Sequence, residues 1–127
     1  MPMTAYTGLL LPAAIGLAVG SFLTTLVLRL PRRQPIVLAR SACPQCGHRL
    51  RPVELIPVLS WLIQRRRCRA CGVRISAFYP VMELAAAFVA GVAARWLSGP
   101  ALVAACLSGW CLVLLLGWAW NRNRLDR

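Results

Sequence analysis

Residues 8–28 read GLLLPAAIGLAVGSFLTTLVL, an uninterrupted run with no charged side chain. A helix needs about 20 residues to cross the hydrocarbon of a bilayer, and a run this long reads as a membrane span rather than a soluble core helix. A secretory signal would carry basic residues ahead of its apolar stretch. Here none precede it and arginines follow at 29, 32 and 33, so it reads as a retained helix. Gly16 and Gly20 make a G-x-x-x-G pair, the spacing that permits close approach of a second helix.

Working outward, two more runs have the same character. Residues 76–94, SAFYPVMELAAAFVAGVAA, hold Pro80 near the start, where a helix tolerates it, and Glu83 about one turn further in. After RWLSGP comes 101–120, ALVAACLSGWCLVLLLGWAW. The chain is 59% hydrophobic with a mean hydropathy of +0.65, and only 14% of its 127 residues are charged, which excludes an ordinary soluble domain. The charges are lopsided: fifteen arginines, no lysine, and acids only at Glu54, Glu83 and Asp126.

A net charge of +12 can mark a nucleic-acid binder. In so apolar a chain it fits the loops of a membrane protein better, because basic residues collect on the cytoplasmic side. The basic segment 29–74 also has only Trp61 to stack on a base, so no nucleic-acid partner is expected. That segment holds eleven arginines and the tail holds Arg122, Arg124 and Arg127, against Arg95 alone in the short turn. The asymmetry places the long loop and the tail in the cytoplasm and the N-terminus and RWLSGP turn in the periplasm. The expected architecture is an all-α, multi-pass membrane protein surrounded by lipid, divided as 1–28, 29–75 and 76–127: a first helix, a basic cytoplasmic loop, and a helical hairpin with a basic tail.

Segment 29–74 carries Pro31, Pro35, Pro44, Pro52 and Pro57, too many for one long helix. Within it VELIPVLSWLI, residues 53–63, predicts a short helix or turn near the membrane surface. Cys43, Cys46, Cys68 and Cys71 lie in CPQCGHRL and CRACGVRI, a C-x-x-C…C-x-x-C pattern with the spacing of a zinc ribbon. Two residues between ligands let one tight turn aim both sulfurs at one ion, and two such turns complete a tetrahedron. Gly47 and Gly72 follow the pairs where the turn needs a left-handed residue. So small a loop buries little apolar surface, and bound metal would supply its folding energy. Four cysteines leave no coordination position open, which makes the site a structural brace, with His48 outside the ligand shell. Cys106 and Cys111 fall in the third apolar run and read as small apolar packing residues.

Glu83, the acid within a span, is a functional candidate because a membrane-buried carboxylate is costly. It lies close enough to the loop to meet Arg29 or Arg74, and an ion pair and a substrate contact are both open. Glu54 reads as a solvated or paired surface charge. No Ser/His/Asp arrangement and no phosphate-cradling glycine loop is present. Asp126 has no second aspartate to share a proton with, as aspartyl chemistry requires.

GLAVGSFLTTLVLRLP (16–31), CPQCGHRL, and ELIPVLSWLIQRRRCRACGVRISAFYPVMEL (54–84) together resemble the N-terminal part of prepilin peptidases. These are bacterial inner-membrane enzymes that cleave the leader from type IV prepilins and type II secretion pseudopilins and N-methylate the new N-terminus. Gly20, Ser21, Arg29, Pro31, Pro57, Ser60, Tyr79, Pro80 and Glu83 match the family pattern, while Thr24 stands where asparagine is more usual. The resemblance implies zinc on Cys43, Cys46, Cys68 and Cys71, and a share in a methyl transfer that uses S-adenosylmethionine. It implies functional contacts at Glu83 and Arg29, and a prepilin or pseudopilin as substrate. The family's peptidase activity uses two aspartates on later helices, one in a G-x-G-D motif that these 127 residues lack. Asn121 stands about where the first of them belongs, so no catalytic residue is expected here. Three readings stay open: one half of an enzyme completed by a separately encoded aspartyl half, a non-enzymatic zinc-braced scaffold of a pilus or secretion assembly, or a truncated, decayed peptidase.

Overall fold

Hydrocarbon offers no hydrogen bonds, so an apolar run that crosses it must close its own backbone bonds as a helix. The computed structural model describes residues 3–36 and 40–125, with the backbone alone for 3–7 and 125. In it α1 spans Met3–Arg29, α2 Leu59–Ile63, α3 Phe78–Trp96 and α4 Gly99–Leu125, with a 3₁₀ turn at Pro52–Leu55. Three stretches are long and apolar enough to cross a membrane: Gly8–Arg29, Phe78–Trp96 and Gly99–Arg124. No strand occurs among the described residues; two isolated antiparallel bridges lie in the loop. The all-α architecture read from the sequence is the one observed, with the four-cysteine loop between the first and second spanning helices.

Helix ends follow local chemistry. Pro80 sits in the first turn of α3, where its missing N–H costs nothing, and the Ser76 hydroxyl accepts the Phe78 N–H at 3.2 Å. The third span, expected over 101–120, is longer at both ends. Nothing in NRNRL breaks a helix, and Arg122 and Arg124 in its last turn complement the negative end of the macrodipole.

The main packing is α1 on α3, and glycine makes it possible. A Cβ on Gly16 would stand 2.6 Å from the Ala86 carbonyl oxygen and from the Ala87 Cα; one on Gly20 would stand 2.6 Å from the Glu83 Cα. The two backbones therefore touch, the gain in contact that drives helix association where lipid is as apolar as leucine. Below the glycines the same stripe of α1 continues through Leu23, Thr24 and Val27. The last two are fully buried, and the Thr24 hydroxyl donates back to the Gly20 carbonyl at 2.8 Å. Leu23 and Val27 join Phe78, Met82 and Val113 in the core.

Helix α4 lies against this pair by a few specific contacts. Trp110 Nε1 donates to the Ala86 carbonyl at 3.0 Å. Near the other end, Trp120 meets Phe78 edge to face, with centroids 5.7 Å apart. Cys106 is buried in the packing and Cys111 faces outward.

Gly20→Ala should cost about 1–3 kcal/mol, because backbone rather than a movable side chain stands in the way. Gly91→Ala adds a Cβ in open space and should be neutral or slightly stabilising. Reversible unfolding of both variants in mixed micelles measures the difference.

Candidate metal centre and its supports

Each C-x-x-C pair is built by the same local turn. The Gly47 N–H donates to the Cys43 carbonyl and the Cys43 N–H to the His48 carbonyl, both at 2.9 Å. In the second copy Gly72 bonds to Cys68 and Cys68 to Val73, again at 2.9 Å. Gly47 and Gly72 have φ of +69° and +70°, with nothing near their missing Cβ atoms, so the backbone angle is what requires glycine. The bridges Ala42–Arg49 and Arg67–Arg74 close the two turns.

The turns face one another and bring Cys43, Cys46, Cys68 and Cys71 together, with all four sulfurs within 4.8 Å. Cys43 Sγ lies 3.8 Å from Cys71 Sγ, and Cys46 Sγ lies 4.0 Å from Cys68 Sγ. These are not disulfide distances, which are near 2 Å. They match the edge of a tetrahedron whose centre is about 2.3 Å from each sulfur, an edge of about 3.8 Å.

The electrostatics agree. Backbone N–H groups of Cys46 and Gln45 pull the Cys43 thiol down to about 7, and those of Cys71 and Ala70 lower Cys68. Cys71 receives the Val73 N–H, but burial and the facing thiols of Cys46, Cys43 and Cys68 push it up to about 12. Four sulfurs this close cannot all ionise on their own charge. A dication at the centre removes that conflict, since coordination deprotonates a thiol outright. The four cysteines are thus positioned to bind one metal ion with no open coordination position.

Glu54 holds the halves together, a role its sequence context does not announce. Its carboxylate is buried; Oε2 accepts the Arg51 N–H at 2.8 Å and lies 3.7 Å from His48 Nε2, and Oε1 lies 4.0 Å from Arg69 Nε. His48 belongs to the first cysteine turn and Arg69 to the second, so one acid contacts both. The Arg51 N–H, with His48, Arg69 and Arg51 charge behind it, holds the carboxyl below the usual range against the opposing effect of burial. The sequence signals only the cap: in R-P-V-E, proline in the first turn and glutamate at its third position mark a capped helical start.

Glu83 and Arg29 are both at the loop end of the α1–α3 seam, but they make different contacts. Glu83 is buried, and its Oε2 accepts the Val58 N–H at 2.6 Å, with the Ser21 hydroxyl beside it. Arg29 Nη1 donates to the carbonyls of Pro35 at 3.0 Å and Ile36 at 3.4 Å. Val58 has φ +60° and ψ −51°, rare for a β-branched residue, and the Leu59 N–H returns to the Pro57 carbonyl to close a strained γ-turn. The carboxylate thus clasps a strained backbone turn. Asn121 Nδ2 donates to the Val27 carbonyl at 3.2 Å, tying α4 to the last turns of α1. Asp126 lies outside the described residues.

Fold and site together define a class: a polytopic helical membrane protein with a four-thiol metal loop between its first two spans. A comparison with protein families makes this specific. Residues 14–97 match the model of the Bacterial Peptidase A24 N-terminal domain, and the chain belongs to that family. It is similar to the prepilin leader peptidase/N-methyltransferase of Myxococcus xanthus, 57% identical over 70 residues, 55% of this chain and 21% of the relative. The protein of that name from Bacillus subtilis is 49% identical over 72 residues, covering 57% and 29%. The one from Burkholderia pseudomallei strain 1026b is 40% identical over 146 aligned positions, covering 90% and 47%. The chain spans less than half the length of these curated relatives. No solved structure matches it.

Glu54→Gln keeps the shape and removes the charge that both cysteine turns meet. Metal affinity, read by chelator competition at neutral pH, should fall on the order of tenfold, the lower end for groups supporting a ligand shell. Because the folded carboxyl is shifted downward, this support is present at neutral pH and is lost as the pH falls through the lowered value. Asn121→Asp replaces a donor by an acceptor facing the Val27 carbonyl. It should lower bundle stability by about 1 kcal/mol in the same micelle assay.

Proposed function

We propose that this chain is the metal-braced N-terminal module of a leader-processing system for type IV prepilins or type II secretion pseudopilins, seated in the bacterial inner membrane. The observation that carries the reading is the family match across 14–97, which includes both the four-cysteine loop and the seam that buries Glu83. The arginine asymmetry supports a cytoplasmic loop and tail with the N-terminus outside. Parts 1–28, 29–75 and 76–127 then act as anchor, cytoplasmic module and anchoring hairpin.

In this reading the ion on Cys43, Cys46, Cys68 and Cys71 is zinc, suited to a tetrahedral thiolate set, and its part is structural. The loop side of the seam, with Glu83 and Arg29, is where the substrate's leader junction meets this chain. S-adenosylmethionine supplies the methyl group that is added to the processed N-terminus. Aspartyl cleavage needs two carboxylates close together, and residues 1–127 hold one aspartate and no G-x-G-D motif. The cleaving pair therefore comes from residues beyond these, supplied by a separately encoded aspartyl half or by further sequence joined to this one.

Mass spectrometry of a prepilin incubated with membranes containing these residues and S-adenosylmethionine tests the reading. The leader should stay intact with this chain alone. It should be removed, and the new N-terminus methylated, when helices carrying G-x-G-D are supplied. Cleavage by this chain alone would overturn the assignment of the aspartyl pair. No cleavage or methylation with both parts present would overturn the function.

A further inference from the structure

Segment 52–63 carries a ridge of aliphatic side chains that none of the other described residues covers. Val53, Leu55, Ile56, Leu59, Leu62 and Ile63 are each between 44% and 60% exposed. The ridge is ordered by local geometry. Val53 and Leu55 lie on the 3₁₀ turn and Ile56 follows it, and Leu59, Leu62 and Ile63 have the i, i+3, i+4 spacing of one face of α2. Water does not favour a contiguous apolar surface of this kind, and such surfaces mark interaction sites.

Two hydrogen bonds fix its depth. The Val58 N–H reaches Glu83, five residues past the start of α3 and so roughly 8 Å along its axis. Trp61 Nε1 donates to the carbonyl of Ile75, just before α3 begins, at 3.3 Å. The ridge is therefore pinned beside the first turns of α3, at the level where its candidate membrane span, Phe78–Trp96, begins. Its polar border is cationic. Arg65, Arg66 and Arg67 follow α2 directly and are exposed, and Arg66 lies over the Trp61 ring at 5.8 Å. The acid of this segment, Glu54, is turned inward toward His48 and Arg69.

We infer that segment 52–67 is a monolayer-docking element: the ridge inserts among acyl chains and Arg65, Arg66 and Arg67 bind anionic lipid headgroups. Depth selects lipid over a soluble partner, and charge selects anionic over zwitterionic lipid, since each basic residue near an anionic surface adds attraction. The metal centre, joined to α2 through 64–67, is then held against the bilayer surface rather than projected into solvent. Only the choice of leaflet rests on the proposed orientation; the docking itself is independent of prepilin chemistry.

The test places a benzophenone amino acid at Leu59, Leu62 or Ile63, one at a time, and at the exposed Arg49 as a control. The full chain is held in nanodiscs of phosphatidylcholine and phosphatidylglycerol. Retained metal identifies folded variants, and a variant that loses metal is replaced by its neighbour. After irradiation, intact mass should show a phospholipid adduct at the three ridge positions and none at Arg49. Phosphatidylglycerol should be over-represented among adducts, and Arg65→Gln/Arg66→Gln/Arg67→Gln should abolish that preference while keeping the adducts. Ridge positions that yield no lipid adduct, or that cross-link to a second copy of the chain, would overturn the proposal. Adducts in simple proportion to lipid composition would overturn its anionic part.

Discussion

The loop side of the molecule depends on how closely α1 and α3 approach. Gly16 and Gly20 lie on the backbone of Ala86, Ala87 and Glu83, and this close approach brings the Ser21 hydroxyl of α1 beside the Glu83 carboxylate. That carboxylate is buried, and a buried carboxylate needs donors. The donor it takes is the Val58 N–H, which a γ-turn leaves pointing away from its own segment. The seam between two spanning helices thereby fixes the position of a loop residue 25 positions away in sequence. The strain at Val58, a β-branched residue with φ +60°, persists because that helix pair over-determines it.

The cysteine cluster obeys a different economy. Its two turns bury almost nothing apolar beyond Cys43 and Cys68, so hydrophobic contact cannot hold them face to face. Glu54 at the rim, and an ion on the four sulfurs, would supply what the core lacks. Four thiolates around a dication leave the centre negative, and arginines at 49, 51, 67, 69 and 74 surround it in sequence. Part of the loop's basic character would then answer a local charge.

Much of this was legible in the sequence because it rests on local pattern. Apolar length reveals a span, C-x-x-C-G reveals a turn with its left-handed glycine, and G-x-x-x-G reveals the seam, although so common a pattern could not name α3 as the partner. What was hidden depends on pairing across distance. Glu54 read as a surface charge because its partners, His48 and Arg69, come from opposite sides of it in the chain and meet it only once both cysteine turns have formed. Glu83 suggested an arginine partner because opposite charge is the obvious choice; the structure gives it a backbone N–H from Val58 instead. No propensity scale predicts a γ-turn centred on valine. The extra length of α4 was hidden for the opposite reason: hydropathy ends at Trp120, but helical backbone continues as long as side chains such as Arg122 and Arg124 can reach water.

The separation of these two sources of order has a structural consequence. The contacts that hold α1 to α3 involve Gly16, Gly20, Leu23, Val27 and Met82, and none of the metal-site cysteines. The loop returns to the spanning helices through backbone groups outside the cysteine turns, Pro35 and Ile36 to Arg29 and Val58 to Glu83, while Trp61 bonds within the loop to Ile75 just ahead of α3. Loss of the ion therefore releases two turns while the tethers on either side of them remain. The packing of the spanning helices is built without the cysteine turns, and an ion on the four sulfurs would order a part of the loop that this packing does not reach. A brace of this kind can set the shape of a surface beside the membrane without being required for the membrane fold itself.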